Sequence, residues 1–372
     1  MSFNQNAIRK TVWFLLISLT ALSGLTAAGI IVPRLELYTH GTMENSRLVL
    51  KTTGNVEMEL EGGYKLGGNI VFKMDSEDLE DDTLDHILEY KYGSVTINDL
   101  FDIPLDFTYF VGEGDILCEG RGFTRIFGTQ SFATQYSGFL YFSDGSYLYE
   151  GISRINGTGF SLASNWGTDS LKTYLYAFQD NTLGYGRYST VARGMLDTEN
   201  LKLEGFLSAS FPAAQAGLYS GGLMFYYKPA EIGSFFAQIG VPRWDPAGDT
   251  ISANLFYFLF EPRIDLGLVS VVMTYFLRPG YYLMEATGEE GNMDINLNFL
   301  VGEPEVTPLS GGVETTGRLV DDGSGTSFNF SVSPYLGAIT SGVVWDCKVK
   351  INLLAGSSTP LFEGFIGVKA EF

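Results

Sequence analysis

The chain has 372 residues, a formal net charge of −20 and 18% charged residues, fewer than the roughly 25% usual in soluble proteins. The acidic balance excludes nucleic acid as a partner, and two cysteines, Cys118 and Cys347, do not make a disulfide framework. The mean hydropathy is only +0.10 although glycine, phenylalanine and tyrosine are abundant, so the apolar residues are dispersed rather than gathered into blocks.

The first residues read as an export signal. "MSFNQNAIRK" carries Arg9 and Lys10 and no acid, "TVWFLLISLTALSGL" is uncharged and apolar, and "TAAG" offers small residues for cleavage near Ala28 or Gly29. Residues 1–28 are therefore assigned to a signal peptide and 29–372 to the mature protein. The apolar stretch runs on to Val32, about 20 residues, which also suits an uncleaved anchor helix. Beyond it no run approaches the ~18 apolar residues of a membrane helix; "LGLVSVVMTYFL" is stopped by Arg278 and Pro279. A mature chain in a membrane would have to cross as a closed barrel, because lipid satisfies no backbone polar group.

From Leu35 onward the period is two. In "NVEMELEGGYKLGGNIVFKMD" Val56, Met58, Leu60, Tyr64, Leu66, Ile70, Phe72 and Met74 alternate with Glu57, Glu59, Glu61, Lys65, Asn69, Lys73 and Asp75, with Val71 out of pattern. This is one long strand, or two joined at Gly62 and Gly63 by a turn that preserves parity. "PLDFTYFV", "KLEGFLSASF", "DINLNFLV" and "DCKVKINL" repeat the alternation, and "SDGS", "INGTG", "RPG" and "DDGSG" supply turns. One domain is expected: all-β, a transmembrane antiparallel up-and-down β-barrel of about 16 strands, with 14 to 18 acceptable.

Alternation alone also fits a soluble sandwich. Aromatic residues at strand ends, such as Tyr275, Phe276, Tyr281 and Tyr282 around "RPG", suit an interfacial girdle. Charges of both signs in mid-strand suit a hydrated lumen. The last strand, "EGFIGVKAEF", sets Ile366, Val368, Ala370 and Phe372 against Lys369 and Glu371 to the final residue. It resembles the terminal signature of bacterial outer-membrane β-barrel proteins. That resemblance implies an outer-membrane location, Phe372, Ala370 and Val368 as a signal to the barrel-assembly machinery, and closure of the last strand on the first.

Little in the sequence points to catalysis. His40 in "LYTHGTMENS" with Ser46 nearby, and His86 in "LDHILEY", read as polar loop or lumen residues, and no nucleophile elbow, zinc signature or phosphate loop occurs. No cofactor or metal is expected. The acidic run "DSEDLEDDTLD" lacks calcium-loop spacing and reads as a solvated loop. "GEGDILCEGRGFTRIFGTQSFATQ" breaks the alternation and gathers Asp115, Glu119, Arg121 and Arg125; it is an irregular surface loop, a bulged strand, or a segment folded into a pore. The expected function is a porin-like channel for passive diffusion of small hydrophilic solutes or ions with a preference for cations. Glu57, Glu59, Glu61, Lys65, Lys73, Asp115, Glu119, Arg121 and Arg125 are the candidate lining residues. A transporter for apolar ligands, or a structural or adhesive barrel without a pore, are the alternatives. Outer-membrane lipid, small solutes and a second copy in a homo-oligomer are the other expected partners.

Overall fold

The computed structural model describes residues 29–372 apart from 45–46, 64, 77–87, 119–150, 169, 184–185, 212–216, 230–231, 279–291, 303–306, 322–324, 355–359 and 371–372. The proposed signal peptide therefore lies outside the described residues, as do His86, Glu119, Arg121, Arg125 and Phe372.

Alternating sequence becomes extended chain almost throughout. The strands are β1 (Gly29–Glu44), β2 (Arg47–Gly62), β3 (Leu66–Ser76), β4 (Leu88–Ile97), β5 (Leu105–Leu117), β6 (Ser153–Ser164), β7 (Leu171–Asp180), β8 (Tyr188–Asp197) and β9 (Leu201–Phe211). They continue as β10 (Leu218–Tyr227), β11 (Gly233–Trp244), β12 (Tyr257–Leu266), β13 (Val269–Arg278), β14 (Asn292–Val301), β15 (Leu309–Asp321), β16 (Thr326–Thr340), β17 (Val343–Leu354) and β18 (Phe362–Ala370). Each strand pairs with the one before and after it, and β18 pairs antiparallel with β1, so one 18-stranded sheet closes on itself without an edge. The strand number falls at the top of the expected range. No helix among the described residues is long and apolar enough to cross a membrane, which a barrel does not need.

The pleat sorts the side chains. On β14, Ile295, Phe299 and Val301 are about half exposed on the outside, while Asp294, Asn296 and Asn298 between them are buried inside. The 19-residue parity of the second and third strands resolves into two strands: β2 ends at Gly62, Gly63 takes φ 108° in the turn, and Glu57 meets Lys73 in register. Val71 is buried on the inner face, which explains its break from the polar pattern.

Strict alternation also corrects the expected girdle. Tyr275 packs outside against Phe258, centroids 5.7 Å apart, but its neighbour Phe276 must point the other way and packs inside against Tyr257 at 5.0 Å. Cys347 is exposed and Cys118 is buried; both thiols are free.

The two ends of the ring differ. At the end where β1 starts, connections run from two residues (267–268) to seven (302–308). One is the Ser341–Gly342 turn, with φ 53° and 81° as a type I′ hairpin demands. At the opposite end the strand ends are separated by longer stretches of sequence: 11 residues between β3 and β4, 35 between β5 and β6, 12 between β11 and β12 and 13 between β13 and β14.

Candidate functional site

The site is the inner face of the ring, and it is divided. On one side β5 leaves the wall. Its pairing with β6 slips between Glu113 and Ile116, just after Gly112 adopts φ 103°. A Cβ on Gly112 would stand 2.1 Å from the Lys91 carbonyl oxygen, so only glycine lets the bulge form. Leu117 and Cys118 then turn inward and are wholly buried. The Cys118 N–H donates to Glu204 Oε1 on β9 at 2.6 Å, and its carbonyl accepts from Gln238 Nε2 on β11. Ile152, just before β6, reaches β10 and β11: a Cβ on Gly222 would lie 2.7 Å from its Cδ1, and one on Gly240 would lie 3.0 Å from it. Those two glycines form a socket for one side chain.

Around this crossing the inner face is apolar, with Phe110, Tyr176, Phe206, Met224, Phe236 and Tyr257 in one buried cluster. Inside it sits an ionic group. Arg193 Nε donates to Glu204 Oε1 at 2.7 Å, Nη1 stands 3.4 Å from Asp115 Oδ2, and the Tyr176 hydroxyl donates to the same Asp115 oxygen at 2.6 Å. The guanidinium also lies 5.7 Å from the centre of the Tyr174 ring. Two carboxylates thus share one fully buried guanidinium. Burial, and then the nearby Glu204 charge, push the Cys118 thiol well above its ordinary pKa.

From β12 round to β18 polar side chains line the inner face, alongside Leu259, Val272 and Phe276 where β12 and β13 adjoin the apolar cluster. Arg263 Nε donates to Asp265 at 2.9 Å, Arg318 Nε to Asp294 at 2.9 Å, and Lys348 Nζ to Glu314 at 2.8 Å. Asn296 Nδ2 donates to Glu314 at 2.7 Å, and the Tyr335 hydroxyl to Asn298 Oδ1 at 2.9 Å. Arg263 and Asp265 share a strand, Arg318 and Asp294 lie on adjacent strands, and Lys348 and Glu314 lie two strands apart, so these charges are paired rather than a field of one sign.

The sequence-based candidates scatter over this geometry. Asp115 joins the buried ionic group. Glu57, Glu59 and Lys73 belong to β2 and β3, Glu61 is exposed at the end of β2, and Lys65 lies in the following turn, donating to Asp102 at 2.7 Å. Val368 pairs with Leu37 and Ala370 with Leu35 at the closure. His40 lies in β1, against Glu363, and Ser46 lies outside the described residues. Sequence reading missed Arg193, Tyr176 and Gln238. Lys202, Glu204, Asp294, Asn296 and Asn298 were already placed on polar faces by parity, without their partners.

A closed antiparallel ring, apolar outside and charged inside, defines an outer-membrane β-barrel. No family model and no curated protein matches the sequence. Solved structures do. OccD1 (OprD) aligns with a TM-score of 0.55 at 12% identity over 94% of this chain and 97% of that one. OccAB2 of Acinetobacter baumannii gives 0.53 at 10% identity over 92% and 98%. Wzi, an Escherichia coli outer-membrane protein involved in group 1 capsule assembly and described as a carbohydrate-binding β-barrel, gives 0.51 at 12% identity over 96% and 87%. The fold is that of the bacterial outer-membrane barrels.

Proposed function

We propose that the protein is an outer-membrane channel of porin type, through which small hydrophilic solutes or ions diffuse passively, with a preference for cations. The observation that carries this reading is the polar inner wall from β12 to β18 in a ring of eighteen strands, a size far beyond the roughly eight strands whose lumen side chains fill completely. A solute crossing there exchanges water for paired carboxylates, bases and amides, so desolvation costs little and no chemical step is needed. Local charge pairing leaves the wall near neutrality; the cation preference rests on the net charge of −20. Glu57, Glu59, Glu61, Lys73 and Asp115, with Glu119, Arg121 and Arg125, are the proposed lining, and Lys65 is assigned to one mouth. Purified protein in planar bilayers should give discrete conductance steps and, under a salt gradient, a reversal potential of cation-selective sign. A silent barrel overturns the reading.

A second reading draws on the apolar cluster between β5 and β13: a transporter for apolar ligands that dock in that cluster. Saturable binding of a fluorescent fatty acid, without conductance, would favour it. We further propose that the chain forms a homo-oligomer, that residues 1–28 direct export, and that Phe372, Ala370 and Val368 address the barrel-assembly machinery. Deleting Phe372 should reduce membrane insertion more than export; unchanged insertion would refute that role.

A further inference from the structure

Seventeen of the eighteen strand junctions join chain neighbours, whose connecting segment limits their alignment. The closure of β18 on β1 has no such tether. It spans eight residue pairs, from Leu35 opposite Ala370 to Thr42 opposite Glu363, against fourteen between β1 and β2. Alternation rejects a slip of one residue, because every side chain would change face. A slip of two keeps apolar residues outside and polar ones inside, so the pattern leaves it permitted. The outer face adds little discrimination: Leu37 meets Val368, Thr39 meets Ile366, and Gly41 meets Gly364.

The inner face is different. Glu363, 4% exposed, is fixed to its own hairpin by Asn352 Nδ2 at 2.7 Å and Lys350 Nζ at 3.1 Å, both from β17. From β1, His40 Nε2 stands 2.9 Å from Glu363 Oε2. The same imidazole lies flat on Phe365, the residue directly opposite, with centroids 4.4 Å apart and planes 1° from parallel. A slip of two residues one way would set His40 opposite Gly367, which has no ring to stack on. The other way would set it opposite Glu363 and take it off Phe365. Both contacts together exist in one alignment.

We propose that His40 and Glu363, with Phe365, form a register lock that selects the alignment of β18 on β1 when the barrel closes. Asn352 and Lys350 place the carboxylate before closure, and His40 reads its position through one hydrogen bond and one ring stack. The lock is independent of what the lumen carries.

Cross-linking reads it directly. With Cys118 and Cys347 replaced by alanine, Thr39→Cys combined with Ile366→Cys reports the native alignment. Thr39→Cys combined with Gly364→Cys or Val368→Cys reports a slip of two. With the lock intact, a short thiol cross-linker should join only the first combination in membrane-inserted protein. In His40→Ala and in Glu363→Ala the slipped products should rise at least about tenfold, because a lost charge-assisted bond changes populations by such factors. Glu363→Gln, which still offers His40 an acceptor, should keep the native product dominant. If an alanine variant yields no inserted barrel, His40→Phe supplies the same reading, since it keeps the stack and deletes the hydrogen bond. A cross-link confined to positions 39 and 366 in all of these variants overturns the proposal.

Discussion

The two sides of the lumen handle buried charge in opposite ways. Between β5 and β11 one guanidinium, Arg193, serves Glu204 and Asp115 inside a cluster of aromatic and aliphatic side chains, with no exposure of its own. From β12 to β18 the bases are distributed, and Arg318 keeps about a third of its side chain exposed beside Asp294. The first arrangement behaves as a protein core that happens to lie inside a barrel; the second is a polar network, itself largely buried, whose charges are spread over several strands. The same alternating strand builds both, and what differs is which residues occupy the inward parity.

The contrast is sharpest if the two arginines are removed. Arg193→Leu takes the guanidinium from the fully buried Glu204 and from the partly buried Asp115 and should cost about 3–5 kcal/mol, read by urea unfolding of the refolded barrel. Arg318→Leu removes a partner from one buried carboxylate, Asp294, rather than from two, and should cost less than Arg193→Leu; equal losses would erase the distinction. Next in size is the socket. Ile152→Ala should cost about 2–4 kcal/mol, and Gly222→Ala should also destabilise because its Cβ meets Ile152. The double variant should lose less than the sum of the two, a coupling that additivity would deny. Smaller still is an effect on permeation: Arg318→Gln should move the reversal potential toward that of the cation, while Glu204→Gln should leave it unchanged.

The smallest effect concerns the thiols. A maleimide soluble in lipid should label Cys347 on the outer wall readily, whereas Cys118 should stay unlabelled until unfolding. Because burial raises the Cys118 pKa, the folded state holds the neutral thiol. Its contribution to stability is complete below the unfolded thiol value of about 8.5 and declines as pH rises above it. Unfolding midpoints for Cys118→Ala and the parent should therefore converge as the solution is made alkaline.

Much of this was legible in the sequence. Parity placed Glu204 with Lys202, and Asp294 with Asn296 and Asn298, on inward faces, because a pleated strand allows nothing else. Val71 stands out of the pattern between Asn69 and Lys73, and only the structure shows it buried on an inner face that is not polar throughout. Segments such as "YLYAFQD" carry apolar residues on both parities, Tyr174, Tyr176 and Phe178 on one and Leu175 and Ala177 on the other, so their period is weak although Tyr176 and Phe178 are central to the apolar side. The partnership of Arg193 with Asp115 joins β8 to β5, across strands whose alignment depends on a bulge. Such a contact is set by three-dimensional closure, which a one-dimensional pattern does not encode. The irregular stretch after Gly112 announced itself as a break, and its inward turn depends on Glu204 and Gln238, some 90 to 120 residues away.

The antiparallel meeting of β1 and β18 has a consequence for how such a chain can change. Strands alternate in direction around the ring, so first and last oppose each other only when their number is even. Adding or losing one strand would bring them together in parallel and require a different hydrogen-bond ladder at the closure. The smallest permitted change in girth is therefore a hairpin, and a lineage that widens or narrows this barrel while keeping its seam must do so two strands at a time.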